Sequence, residues 1–136
     1  MEVHRGRLID HIQLRARDLE ATKRFYRAVL EVLGVPYNED DTHLDADEIW
    51  IDAGEPATHI HLAFQAKDRE TVERFHKVGV EAGGRDNGAP GERPYHPGYY
   101  AAFLYDPDGN NIEAVFHGPS QRSAESVVFT FEMPKA

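Results

Sequence analysis

The chain has eight histidines and no cysteine in 136 residues, so imidazoles and carboxylates must supply any metal ligand. Disulfides, thiolate zinc sites, iron–sulfur clusters and a cysteine nucleophile are excluded. His11 and His61 lie fifty residues apart, each in a short apolar-rich run. Glu113 sits inside Ile112-Glu-Ala-Val-Phe116, where burying a carboxylate without a partner would be costly, which favours a cation beside it. His96 lies in a Gly/Pro-rich stretch, and an imidazole can take or give a proton near neutral pH.

The elements that must position these groups follow from a repeat. Sliding the sequence by fifty residues places His11–Gly34 on His61–Gly84 with eight identities in 24 columns, among them His11/His61, Asp18/Asp68, Phe25/Phe75 and Gly34/Gly84. Self-similarity of this kind marks a duplicated structural unit. Each copy reads as strand then helix: Leu8–Leu14 and Ile60–Phe64 have strand length, and Asp18 and Asp68 are natural N-caps. Glu20 and Glu70 suit the first helical turns, and Gly34 and Gly83-Gly84 are expected to stop the helices in left-handed caps. His59 would share a strand face with His61, but the repeat register selects His61.

Strand material follows each helix. In the first copy the acidic stretch from Glu39 to Glu48 is expected to be a solvated loop leading into Ile49-Trp-Ile-Asp52. In the second, Tyr99–Tyr105 and Asn111–Phe116 flank Asp106-Pro-Asp-Gly109, a strong hairpin turn. The second copy also carries a thirteen-residue Gly/Pro-rich insert, Asp86 to Gly98, expected to be a loop that sets specificity. Removing that insert and the fifty-residue period from 113 leaves 50, so the counterpart of Glu113 is Trp50. Arg93 in the insert is a candidate for pairing with an anionic substrate. His4, His43 and His76 read as surface histidines, and His117 stays open. The apolar coda Val127–Glu132 would form an edge strand or reach a partner.

Two β-α-β-β-β units of about 50–60 residues, each too small to fold alone, must share a core. Asp10-His-Ile with its helix, the His61-Leu-Ala-Phe64 strand and Asp106-Pro-Asp-Gly-Asn-Asn-Ile-Glu113 together resemble the vicinal oxygen chelate superfamily. That superfamily includes glyoxalase I, extradiol dioxygenases, fosfomycin-resistance transferases and bleomycin-binding proteins. The resemblance implies an α+β fold in which two tandem βαβββ modules, about 7–55 and 57–117, form a curved mixed sheet around a metal-binding cavity. The chain 1–136 would be one domain, with residues 118–136 as a C-terminal extension.

Position by position, the resemblance implies His11, His61 and Glu113 as ligands of one divalent metal ion, Fe, Mn, Ni or Zn. Two imidazoles and a carboxylate suit such ions and leave positions open for substrate. Trp50 stands where glyoxalase I has a fourth ligand and is similar to the Trp of fosfomycin-resistance transferases, which makes it a substrate-facing residue beside Arg93. His96 is the candidate catalytic acid or base. The function implied is a metal-dependent glyoxalase-like lyase, isomerase or transferase acting on a small molecule chelated through vicinal oxygens. The alternatives are an Fe(II) extradiol ring-cleaving dioxygenase, or a non-catalytic binding protein like those of bleomycin resistance. Extradiol enzymes have a Tyr where this chain has Phe103, which argues against ring cleavage.

With 24 acidic and 15 basic residues the net charge is −9, the wrong sign for non-specific binding to nucleic acid or anionic membranes. No apolar stretch approaches a membrane span of about 20 residues, and Met1-Glu2-Val3-His4 is not expected to begin a signal peptide. The expectation is a cytoplasmic homodimer with a small-molecule substrate.

Overall fold

Each copy of the repeat folds as a strand, a helix and three further strands, because its caps and alternating side chains dictate that order. The structure, a computed structural model, describes residues 2–6 and 9–130. The first module is β2 (Ile12–Ala16), α1 (Leu19–Leu33), β3 (Asn38–Glu39), β4 (His43–Ala46) and β5 (Ile49–Ala53), preceded by β1 (Glu2–Arg5). The second is β6 (His61–Gln65), α2 (Arg69–Glu81), β7 (Arg85–Glu92), β8 (Tyr100–Tyr105) and β9 (Asn111–Phe116), followed by β10 (Val127–Thr130). The fold is α+β, with two tandem βαβββ modules that each build one mixed four-stranded sheet, in the orders β2-β5-β4-β3 and β6-β9-β8-β7. The first and last strands of each module pair in parallel and the other pairs are antiparallel. β1 and β10 form a separate antiparallel ribbon, with Glu2 opposite Thr130. Phe131 and Glu132 of the expected coda, and Leu8 of the first run, lie outside the described residues.

The helices begin where the two aspartates predict. The Asp18 carboxylate accepts from the Ala21 amide at 3.1 Å, and that of Asp68 from the Thr71 amide at 2.7 Å and its hydroxyl at 2.6 Å. Gly34 ends α1 in the left-handed region at φ 76°. After α2 the left-handed residue is Gly83, at φ 104°, and Gly84 instead packs closely under the Phe25 ring.

Each helix covers one face of its own sheet, and the helices pack on each other, so one core serves both modules. Leu14, Leu44 and Ile51 from the first sheet, Leu104 and Ile112 from the second, and Phe25, Val29, Val72 and Phe75 from the helices are all buried in it. Gly79 lets α2 sit close on β8 and α1; a Cβ there would collide with Leu104 and lie 3.3 Å from Val29 and 3.5 Å from Phe25.

A carboxylate pins the modules together as well. Asp106, buried in the Asp-Pro-Asp-Gly turn, accepts from the Tyr26 hydroxyl of α1 at 2.7 Å and from the Asp108 amide, the Asn110 amide and the Asn110 side chain, each at 2.9 Å. Burial and the adjoining Asp106 charge push the Tyr26 hydroxyl well above its ordinary value, so it remains a donor. The Asn110 side-chain oxygen then takes the Ile60 amide at 2.7 Å, which fixes the entry of the chain into β6.

Two expected loops are strands. The acidic stretch is not a solvated loop: Leu44 and Ala46 turn inward while His43 and Asp45 alternate outward, giving β4. Glu39, in β3, pairs with Lys23 at 3.1 Å and Arg27 at 2.8 Å. The first part of the Gly/Pro-rich insert is edge strand β7, which meets β8 with register shifts between Asp86 and Gly88 and between Gly88 and Gly91. An edge strand tolerates Gly and Pro because only one side of its backbone is paired.

Candidate functional site

The sheet faces turned away from the helices carry the polar and aromatic residues. On the second sheet, strand alternation places His61 and Ala63 of β6, Glu113 of β9 and Phe103 of β8 on this face, and Ala63, Glu113 and Phe103 are side by side across the ladders. His61 Nε2 lies 2.9 Å from Glu113 Oε1, with Glu113 only 2% exposed. The Tyr99 hydroxyl donates to the other carboxylate oxygen. Burial, then the hydrogen bond and charge of Glu113, push the Tyr99 hydroxyl up to about 12, so it remains protonated.

Around this pair stand Phe103, with its ring centroid 6.2 Å from that of His61, and Arg93, whose guanidinium lies 5.3 Å from the Phe103 centroid. Arg93 Nη2 donates to the Ala89 carbonyl at 2.8 Å, and among the described residues no carboxylate pairs with it. His96 Nε2 meets His117 Nδ1 at 2.8 Å, and both rings stand against Tyr99.

The first sheet presents the corresponding face with different chemistry. His11 is exposed, and its Nδ1 lies 2.8 Å from Asp10 Oδ1, which also takes Arg5 Nε at 3.4 Å. Trp50 faces Gln13 across the parallel ladder, where Glu113 faces Ala63 in the second sheet. The Trp50 ring stacks on His43 at 4.1 Å with an angle of 10°, and its indole N–H donates to Asp52 at 3.2 Å. His43 is no mere surface histidine: Asp40 and Asp45 hold its two ring nitrogens at 2.9 and 2.7 Å. Burial alone would lower it, but those two carboxylates raise it above its ordinary value. His76 likewise pairs with Asp86 at 2.8 Å, while His59 is exposed and precedes β6.

The structure therefore brings His61 and Glu113 together, with Arg93 and His96 on the same face. It places His11 and Trp50 on the other sheet. Among the described residues no three His, Asp or Glu side chains converge on one point. The donors present fit a divalent ion in part: 2.9 Å suits two ligands of one ion held at about 2.0–2.2 Å. Among the described residues of one chain the set stops at these two. Sequence reasoning missed Tyr99 as a partner of Glu113 and left His117 open. The period of two was the available signal for Tyr99, since residues 99, 101 and 103 share a face.

A sequence profile of the Glyoxalase/Bleomycin resistance protein/Dioxygenase superfamily matches residues 8–114. The chain belongs to that superfamily. Its fold is shared with solved members. It is similar to a glyoxalase/bleomycin resistance protein from Albidiferax ferrireducens T118, with 31% identity, 79% of this chain and 97% of that one covered, and a TM-score of 0.67. A glyoxalase-related enzyme from Fulvimarina pelagi matches with 20% identity over 89% of this chain and 97% of its own, at a TM-score of 0.66. A glyoxalase/bleomycin resistance protein/dioxygenase family enzyme from Burkholderia phytofirmans PsJN matches with 24% identity over 78% and 95%, at 0.60. No curated protein matches the sequence. As in the register of the repeat, this superfamily member keeps a carboxylate at the end of its second module and an indole at the end of its first. No helix among the described residues is long and apolar enough to cross a membrane.

Proposed function

We propose that this superfamily member is a divalent-metal enzyme, a glyoxalase-like lyase, isomerase or transferase acting on a small molecule held through two adjacent oxygens. The observation that carries the reading is the His61–Glu113 contact at 2.9 Å, made by a carboxylate that is 2% exposed. Its partners are an imidazole and a phenol, with no lysine or arginine paired to it among the described residues. A buried carboxylate so placed gains from a cation between it and the imidazole.

The third ligand in this reading is His11 of a second copy. Two equivalent histidines on two uncovered faces, neither with a full donor set, suit a homodimer in which the first sheet of one copy faces the second sheet of the other. The ribbon strand β10, with Val127, Val128 and Phe129 about half exposed, offers apolar surface for such pairing.

A bound divalent ion of the Fe, Mn, Ni or Zn type would polarise the substrate oxygens and stabilise developing negative charge. The chain's own groups do the rest. Tyr99 holds one oxygen of Glu113 and leaves the other directed at His61. Arg93 offers a guanidinium for an anionic substituent, Trp50 of the facing sheet offers a flat apolar wall, and His96 holds a proton. A cytoplasmic location belongs to the same reading, since a chain without cysteine suits a reducing compartment.

Metal analysis of protein purified without chelator tests this, with His11→Ala and Glu113→Ala as controls. Stoichiometric metal in the wild type, lost in both variants, is expected. No bound metal, together with no rise in melting temperature on adding Mn(II), Ni(II), Zn(II) or anaerobic Fe(II), would sink it. A second reading, a metal-free small-molecule-binding module, draws on the two-donor set of the single chain. Ring cleavage is disfavoured because Phe103, directly opposite Glu113 in the ladder, has no hydroxyl, and oxygen uptake with catechols is expected to be nil.

A further inference from the structure

Residues 93–99, between β7 and β8, dock on the segment that leaves β9. Gly98 and Gly118 make this possible, both in the left-handed region at φ 87° and 94°. A Cβ on Gly98 would lie 3.3 Å from the His117 carbonyl oxygen and 3.9 Å from Gly118 Cα. This backbone contact brings His96 against His117. Their facing nitrogens are 2.8 Å apart, and the rings are inclined by 21° with centroids 5.1 Å apart, the separation of rings meeting edge to edge.

We propose that His96 and His117 act as one proton-holding pair beside the His61–Glu113 site, in which the Pro97 carbonyl fixes the tautomer of His96 and His96 is the positioning residue that fixes the tautomer of His117. The assignment follows from what each nitrogen meets. His96 Nδ1 lies 2.9 Å from the Pro97 carbonyl, which can only accept, so the neutral ring carries its hydrogen there. His96 Nε2 is then a bare lone pair, and the hydrogen on His117 Nδ1 fills it. That leaves Nε2 of the exposed His117 as the remaining acceptor of the pair.

A proton taken up at His117 Nε2 lets the Nδ1 hydrogen pass to His96 Nε2. The pair gains one proton and one positive charge, and the reverse transfer releases that proton to a bound ligand. A second proton would put hydrogens on both facing nitrogens and break the contact. The groups around the pair are Tyr99, edge-on to both rings with its hydroxyl on Glu113, and Tyr95, whose ring lies 4.9 Å from that of Tyr99. Arg93 lies over Phe103. No carboxylate of the described residues forms an ion pair with either imidazole. This differs from His11, His43, His61 and His76, each of which faces a carboxylate.

The use of this proton in turnover rests on the metal-enzyme reading, but the pair itself does not. The test therefore uses the metal-free, nitrogen-15-labelled full chain and long-range proton–nitrogen NMR of the imidazoles. Wild type is expected to show His96 in its Nδ1–H form and a coupling across the hydrogen bond between His96 Nε2 and His117 Nδ1. His117→Ala, with its fold checked by backbone amide shifts, should lose the coupling and leave His96 in its Nδ1–H form on the Pro97 carbonyl, whereas His96→Ala should turn His117 into a mixture of tautomers. The proposal is overturned if wild type shows no coupling, if His96 carries its hydrogen on Nε2, or if equimolar Zn(II) is taken by these two imidazoles. Failure here leaves the metal reading of His61 and Glu113 standing, and a metal-free site leaves the pair standing.

Discussion

Trp50 holds in β5 the position that Glu113 holds in β9: one faces Gln13 across a parallel ladder, the other Ala63, at equivalent points of the repeat. The same backbone address therefore carries an indole in one module and a carboxylate in the other. The indole is 41% exposed on an uncovered face, while the carboxylate is sealed beneath His61 and Tyr99. Only the second module can offer negative charge to a cation at this point.

If the site forms between copies, each site draws His11 from one chain and His61 with Glu113 from the other. His11→Ala and Glu113→Gln homodimers should each bind no metal. After the two are mixed and allowed to exchange, each mixed dimer has one doubly damaged site and one intact site. Metal content should then recover to about one ion per mixed dimer, read by elemental analysis after affinity separation of differently tagged copies. Recovery of none would place the site within one chain or remove it.

Asp106 accepts four hydrogen bonds, one from Tyr26 of α1 and three from within its own turn, and so ties the turn of the second module to the first. Asp106→Ala leaves Tyr26 and Asn110 with buried donors unpaired, a loss of about 3 kcal/mol. Thermal unfolding followed by circular dichroism should show a fall in melting temperature on the order of 10 °C in one cooperative step. Two separate transitions would mean that the modules do not share their stability.

His43 and its carboxylates should give the first module a pH window. The raised His43 contributes stability that is full below the ordinary imidazole value and is lost as pH rises through its own higher value. Asp40 is held far below the usual carboxylate range, first by the Thr42 hydroxyl and amide and then by His43, so its contribution is lost as pH falls through that low value. Trp50 is the one tryptophan of the chain and stacks on His43, so its fluorescence reports this titration directly. Emission should rise as the quenching imidazolium loses its proton above the ordinary imidazole value, and His43→Gln should flatten the profile. An unchanged profile in the variant would sever the link.

Much of the fold was legible because duplication leaves marks at fixed spacing. His11 with His61 and Asp18 with Asp68 located both strand–helix openings, and the insert arithmetic paired Trp50 with Glu113. A repeat gives equivalence, however, and not proximity: His11 and His61 are matched in position yet lie on separate sheets. The strand β7 was hidden because Gly88, Pro90 and Gly91 signal a loop in any local reading, and only its edge position makes them tolerable. Tyr99 and His117 were hidden for another reason. Their roles are set by partners 14 and 21 residues away, brought close by β8, β9 and the Gly98–Gly118 contact.

The β1–β10 ribbon lays Arg5 against Val127 and Glu2 against Thr130. Topologically the described chain is thus a ring with a clasp, and the order of the two modules depends only on where that ring is opened. A circular permutant sealed at the ribbon and cut between Ala53 and His61 would read the Glu113 module first and the His11 module second, while keeping every ladder in both sheets.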